Sequence, residues 1–220
     1  MSCPYPLVVF DLDGTLVDSA ADIAEALNRT LEEWKLPRVP EATVLTWIGD
    51  GVRRLVEQAF TAAGSDADLD AVMPGFMRHY EACLLRSPRL FEGVEAALQA
   101  LRERNVTLAI CTNKPSALVA PLLRHFGLQD LFALVLGGDS LAERKPSGVP
   151  LRHIAAHFGL APQAALMVGD SITDYRAAVD AGMPVALVRY GYPRGLDLET
   201  VEAVAVVDDL RDLPGVSARG

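Results

Sequence analysis

Hydrophobic positions fall into two regimes along the chain. In the second half, short apolar runs at Val106–Cys111, Phe132–Leu136, Ala165–Val168, Val185–Val188 and Ala203–Val207 are each bounded by Gly, Pro or Asp, which predicts buried strands. Leu7–Phe10 adds a sixth such run near the start. Between them lie helix-like stretches: Pro115 to Phe126, with proline in its first turn, and Asp174 to Ala181, followed by Gly182. Strand then helix, repeated, predicts an α/β fold with a doubly wound, Rossmann-like parallel sheet covered on both faces.

Residues 19–88 follow the other regime. Ile23, Leu27 and Leu31 recur at helical spacing with charges between, no strand pattern is present, and breaks fall at Pro37 to Pro40, Gly49 to Gly51, Gly64 to Ser65 and Ser87 to Pro88. The pattern predicts a helical domain at 19–88 inserted after the first strand, with 1–18 and 89–220 forming the sheet domain. Two linkers would let the insertion move as a lid, and residues 216–220 read as a frayed tail.

Composition narrows the class. Half of the 220 residues are hydrophobic, which excludes a disordered chain, and 20 basic against 29 acidic side chains give a net charge of −9. That balance disfavours nucleic acid as a partner, because phosphate backbones bind through clustered Lys and Arg. Cys3, Cys83 and Cys111 are widely spaced with no CxxC pair, so neither a disulfide framework nor a zinc site is indicated and a reducing, cytoplasmic setting fits best. No run approaches the ~18 apolar residues of a membrane span, and no signal peptide is read at the start.

The chemistry concentrates at strand ends. The first strand runs into Asp11-Leu12-Asp13-Gly14, and in an open parallel sheet ligands sit beyond the carboxyl ends of strands. Two carboxylates so placed repel unless a cation lies between them, and Mg²⁺, which takes a few carboxylates plus phosphate oxygens, suits the pair; an Asp-Gly turn closing a strand is the plainer alternative. The next strand ends in Thr112-Asn113-Lys114-Pro115, an anion site or simply a helix N-cap. Lys145 offers a fixed positive charge or a solvated surface lysine. Asp170 and Asp174 follow a further strand, as metal ligands or as helix caps. Independent caps have no reason to occur in this joint order.

The set FDLDGTLVDS, TNKP, RKP and VGDSITD resembles the four motifs of the haloacid dehalogenase superfamily, over essentially the whole chain. Within it, TWIGDG, TNKP, VAPLL, GGDSLAERKP and YGY resemble the phosphoglycolate phosphatases. The resemblance implies that Asp11 is the nucleophile that forms an aspartyl-phosphate and Asp13 the general acid and base. It implies that Thr112, Asn113 and Lys145 bind the phosphoryl group, that Asp11, Asp13 through its backbone carbonyl and Asp170 hold Mg²⁺ with Asp174 as a direct or supporting ligand, and that the helical insertion is the family's cap domain. The implied reaction is hydrolysis of a small phosphorylated metabolite, 2-phosphoglycolate foremost, by a monomer or homodimer. Arg53, Arg54 or Lys114 is the candidate partner of a substrate carboxylate. After Lys145-Pro146 the family's further prolines give way to Ser147-Gly148-Val149 before Pro150.

Other readings stay open. A pyrophosphatase, another small-metabolite phosphatase or a sugar-phosphate mutase would use the same Asp-x-Asp. A phospho-accepting signalling module joins similar residues but is shorter and has no helical insertion. His153 and His157 have the spacing of a helical zinc pair without its glutamate. Cys111, inside a strand, reads as a buried apolar residue rather than a nucleophile.

Overall fold

The computed structural model describes residues 4–215; Cys3 and the tail 216–220 lie outside the described residues. The six predicted runs form one parallel sheet. Its strands are β1 (Leu7–Phe10), β4 (Thr107–Cys111), β5 (Leu134–Leu136), β6 (Ala165–Gly169), β7 (Val185–Val188) and β8 (Ala205–Val207), and their order across the sheet is β5-β4-β1-β6-β7-β8. β1 lies between β4 and β6 with all four of its residues buried, which is why it reads as an unbroken apolar run. β5 and β8 start two residues later than their sequence runs suggest, as edge strands keep pairing only where one neighbour can supply it.

Residue parity along β1 divides the core in two. Val8 and Phe10 face one layer, with Leu98 and Leu101 of α5 (Val94–Glu103) and Val119 and Leu122 of α6 (Ser116–His125). Leu7 and Val9 face the other, with Leu151 and Ile154 of α7 (Val149–His157) and Ala177 and Ala178 of α8 (Ile172–Ala181). The chain passes from β1 to β4 and β5 on one side, then crosses to β6, β7 and β8 on the other. The strand order therefore reverses at β1, which opens a crevice at its carboxyl end.

Helices α1 (Ala20–Glu33), α2 (Glu41–Leu45), α3 (Val52–Ala62) and α4 (Leu69–Cys83) separate the first strand from the rest of the sheet. They bury a second cluster, with Ile23, Leu27 and Leu31 of α1 against Val72, Phe76 and Tyr80 of α4, which Leu118 of α6 joins from the sheet domain. The entry and exit of this helical segment are joined by a feature too short to carry a readable hydrophobic period. β2 (Val17–Asp18) pairs antiparallel with β3 (Arg89–Leu90), Val17 opposite Leu90 and Asp18 opposite Arg89. Beside that ribbon the buried Asp22 accepts from the N–H and Oγ of Ser87 at 3.1 and 2.7 Å. Among the described residues no helix is long and apolar enough to cross a membrane.

Leu98 is fully buried between α5 and the sheet. Replacing it with Ala should cost about 2–5 kcal/mol, the range for truncating a core leucine, read as a lower thermal midpoint.

Candidate active site

The crevice gathers the strand-end residues. The Asp11 N–H still bonds to Val168 O of β6 at 2.9 Å, so the nucleophile candidate sits on the last rung of the ladder and inherits its rigidity. The backbone then turns through Gly14, at φ +91°, where a Cβ would lie 2.3 Å from Asp170 Oδ2. Only glycine permits both the left-handed angle and the approach of that carboxylate.

Asp11, Asp170 and Asp174 are buried, and their carboxylate oxygens lie within 4.8 Å of one another. Lys145 lies among them, Nζ 2.9 Å from Asp11 Oδ1 and 2.6 Å from Asp174 Oδ1. Burial pushes the Asp11 carboxyl up to about 6; Lys145 acts against that and Asp174 adds to it. Burial, then Asp174 and Asp11, hold Asp170 well above the usual carboxylate range, although Asp170 accepts from Tyr192 N at 2.6 Å and Thr15 Oγ1 at 2.8 Å. Burial alone would lower the Lys145 pKa, but Asp11 and Asp174 more than offset it and leave it above the ordinary lysine value. Asp11 Oδ1 is close to Lys145 yet lacks a well-directed hydrogen-bond partner.

Asp174 serves both of its readings at once. Its Oδ1 pairs with Lys145, while Oδ2 accepts from Ser171 N at 3.1 Å and Ser171 Oγ at 2.6 Å in a capping box at the start of α8. Thr112 does not cap α6, whose first N–H, on Ser116, bonds to Asp139 Oδ1 at 2.9 Å. Thr112 instead lines the pocket, its Oγ1 accepting from Lys114 N at 3.2 Å.

Asp13 stands apart from the three clustered carboxylates. Its Oδ1 accepts from Ser19 Oγ at 2.6 Å and from Lys114 Nζ at 3.0 Å. Lys114 also donates to Tyr80 OH and lies 4.6 Å from the centre of that ring. Across the crevice the helical segment supplies Ile23, Ile48, Gly49, Gly51, Val52, Leu55 and Tyr80. With Asp11, Asp13, Thr112, Asn113 and Lys114 they enclose a cavity of ≈ 40 Å³. The Asn113 side-chain amide donates to Gly49 O at 2.8 Å and Lys145 O at 2.7 Å, which ties this segment to the sheet.

Arg53 is not brought to the pocket. On α3 it falls on the face opposite Leu55, Val56 and Ala59, is exposed, and pairs with Asp70 at 2.7 Å; Arg54 likewise pairs outward with Glu57 at 2.5 Å. His153 and His157 are both exposed on α7. Cys111 is buried, and burial pushes its thiol up to about 12, too high for a nucleophile. The Ser147-Gly148-Val149 departure does not prevent Lys145 from reaching the carboxylates. A Cβ at Gly148 would lie 2.4 Å from the Ala181 amide nitrogen, so glycine lets the chain pass close to α8. Tyr80 and Tyr192 are site residues that the strand-end pattern does not reveal, because each arrives from elsewhere in the chain; Thr15 and Ser19 lie just past the first strand, but the partners of their hydroxyls, Asp170 and Asp13, are set by the fold.

The donor set fits a divalent cation. Around the crevice the four carboxylates of Asp11, Asp13, Asp170 and Asp174 face the two ammonium groups of Lys114 and Lys145. With all four carboxylates ionised, the state a cation between them favours, the excess is two negative charges, and a site of oxygen donors only matches a hard divalent ion.

A family model described as haloacid dehalogenase-like hydrolase matches residues 8–188. The chain is 44% identical over 220 residues to a plasmid-borne phosphoglycolate phosphatase of Cupriavidus necator, covering 98% of this chain and 94% of that one. It is 42% identical over 213 residues to the phosphoglycolate phosphatase of Rhodospirillum rubrum, covering 94% and 88%. A crystal structure of a predicted phosphoglycolate phosphatase from Haemophilus somnus superposes with a TM-score of 0.89 at 36% identity and 96% coverage of both chains.

Lys145→Met removes the ammonium between Asp11 and Asp174 and should destabilise the metal-free protein at neutral pH by about 3–5 kcal/mol, the cost of leaving a buried charge unpaired. Asp11 and Asp170 already have raised folded-state pKa values. The folded variant therefore takes up protons more readily than the unfolded chain as pH falls from neutral. Thermal unfolding of both proteins against pH should show the deficit narrowing towards about pH 5.

Proposed function

Because the chain belongs to the haloacid dehalogenase-like hydrolase family, we propose that it is a phosphatase that hydrolyses a small phosphate monoester, 2-phosphoglycolate foremost, to glycolate and inorganic phosphate. The observation that carries the reading is the junction at the mouth of the crevice. Asp11, next to Lys145, and Asp13, held by Lys114 and Ser19, face one small cavity between the sheet and the helical segment.

In this reading Asp11 attacks phosphorus, an Asp11 O–P bond forms and the ester P–O bond breaks, while Asp13 gives its proton to the departing alkoxide. Water then attacks the aspartyl-phosphate, Asp13 takes the water proton, and the Asp11 O–P bond breaks to release phosphate. Thr112 Oγ1, the Asn113 N–H and Lys145 orient the phosphoryl oxygens and stabilise the charge that spreads over them. Asp11, Asp170, Asp174 and the backbone carbonyl of Asp13 would hold Mg²⁺. When bound, the ion neutralises the crowded carboxylates so that an anionic ester can approach them.

Residues 19–88 act as the cap that excludes water. The cavity is small and lined mainly by the helical segment on its far side, which supports a small substrate. Lys114, the one cation among its lining residues, is placed to meet a substrate carboxylate that competes with Asp13. Cys83 and Cys111 are buried free thiols, which fits a reducing compartment such as the cytoplasm.

Phosphate release with Mg²⁺ across small esters and pyrophosphate tests the assignment. 2-Phosphoglycolate should lead in kcat/KM by about tenfold or more, and Asp11→Asn should be silent. A flat panel, or one led by pyrophosphate or a sugar phosphate, overturns the substrate. Asp170→Asn should abolish both turnover and the rise in thermal midpoint that Mg²⁺ gives the wild type.

A further inference from the structure

Loop Thr46 to Gly51 connects α2 to α3 and carries Ile48, Gly49 and Gly51, which form the far wall of the cavity. Its Asp50 points away from the cavity into a second polar junction. Arg194, in the segment after β7, grips the carboxylate with both terminal nitrogens, Nη1 to Oδ1 at 2.7 Å and Nη2 to Oδ2 at 2.5 Å. Thr173, in the first turn of α8, donates its hydroxyl to Asp50 Oδ1 at 2.9 Å and accepts from Arg194 Nη1 at 3.1 Å. The guanidinium packs on Gly49, where a Cβ would stand 3.0 Å from Nη1. Arg194 itself adopts φ +54°, a backbone angle rare outside glycine, and is only 12% exposed. The Arg194 hydrogen bonds hold the Asp50 carboxyl below its usual range, so the pair is ionised at neutral pH.

The same segment grips the site at two further points. Tyr192 N donates to Asp170 Oδ2 at 2.6 Å, and Tyr192 OH donates to Asp18 Oδ1 at 2.7 Å, where the chain enters the helical segment. Tyr190 OH donates to Thr15 O at 2.9 Å. Residues 190–194 therefore run as a strap from the carboxylate cluster, across the entry to the helical segment, to the far wall of the cavity.

We propose that Asp50 and Arg194 are positioning residues, whose two-pronged ion pair latches the loop Thr46 to Gly51 onto the start of α8 and so sets the distance between the far wall and Asp13. A pair open to water on its Asp50 side contributes little to global stability. Its consequence is positional: the cavity is narrow, and the wall it holds meets the part of the substrate that does not react. Arginine is required because one planar fork reaches both carboxylate oxygens and Thr173, which a lysine point charge does not. Asn113, which holds Gly49 O independently, keeps the loop near the sheet when the latch is broken. The inference rests on the phosphatase reading for its kinetic consequence, but not for the structural one.

Amide hydrogen exchange and steady-state kinetics on the full chain test it together, with Asp50→Asn, Arg194→Gln and Arg194→Lys. The first two should speed exchange at residues 46–51 by about tenfold or more and leave the sheet strands unchanged. Both should raise KM for 2-phosphoglycolate by about tenfold with kcat within about threefold, and Arg194→Lys should fall between them and wild type. Arg78→Gln, which breaks an exposed pair with Glu33 on the same helical segment, should alter neither. Unchanged exchange at 46–51 overturns the proposal, and so does faster exchange with an unchanged KM. A wild-type chain that hydrolyses no ester overturns the phosphatase reading instead. In that case the affinity for inorganic phosphate, measured by calorimetry, replaces KM and decides the latch.

Discussion

Three carboxylates and one ammonium buried within a few ångströms of each other set the terms for the rest of this molecule. Lys145 bridges Asp11 and Asp174, and Asp170 completes the cluster without a cation of its own. Taking such charges out of water is costly, and the surroundings are arranged to offset it. Thr15 and the Tyr192 amide bond to Asp170, and Ser171 at the N-cap of α8 bonds to Asp174. Gly14 has no side chain because Asp170 fills that space. What remains is an excess of negative charge that favours a divalent cation, beside a carboxylate whose Oδ1 lacks a directed partner.

That cluster is buried and held in place because it lies at the carboxyl ends of enclosed strands. β1 is paired on both sides and packed on both faces, so Asp11 is fixed by the sheet rather than by a loop. The helical segment meets the other side through Leu118 of α6, which is buried in its hydrophobic cluster, and through separate polar ties: Asn113 to Gly49, Lys114 to Tyr80, and Arg194 to Asp50. Among these, the polar ties do not join the two hydrophobic cores. They are local and directional, the kind of contact that holds a wall in place and also allows it to move.

Much of the fold is legible in the chain because buried parallel strands and amphipathic helices write their periods into the sequence. All six apolar runs are strands of one sheet, and the stretch with helical spacing contains α1 to α4. The β2–β3 ribbon is not legible, since two-residue strands have no period to read. Asp11, Lys145, Asp170 and Asp174 are found together where strand-end chemistry implies. The place of Arg53 is not legible: its proximity in sequence to the Gly49 to Gly51 turn suggests the pocket, but the helical phase of α3 turns it to solvent and Asp70.

The sequence by itself therefore determined the six strands of the main sheet, the helical segment and which carboxylates and lysines the sheet would present, because local periodicity and strand-end position depend only on near neighbours. The tertiary structure alone decided how each charge is shared. Lys114 turns to Asp13 and Tyr80, Asp174 divides its oxygens between Lys145 and Ser171, and Arg194 crosses 144 positions of sequence to hold Asp50. Such partnerships join residues far apart in the chain, and no pattern of adjacent residues encodes which distant group will meet a given charge.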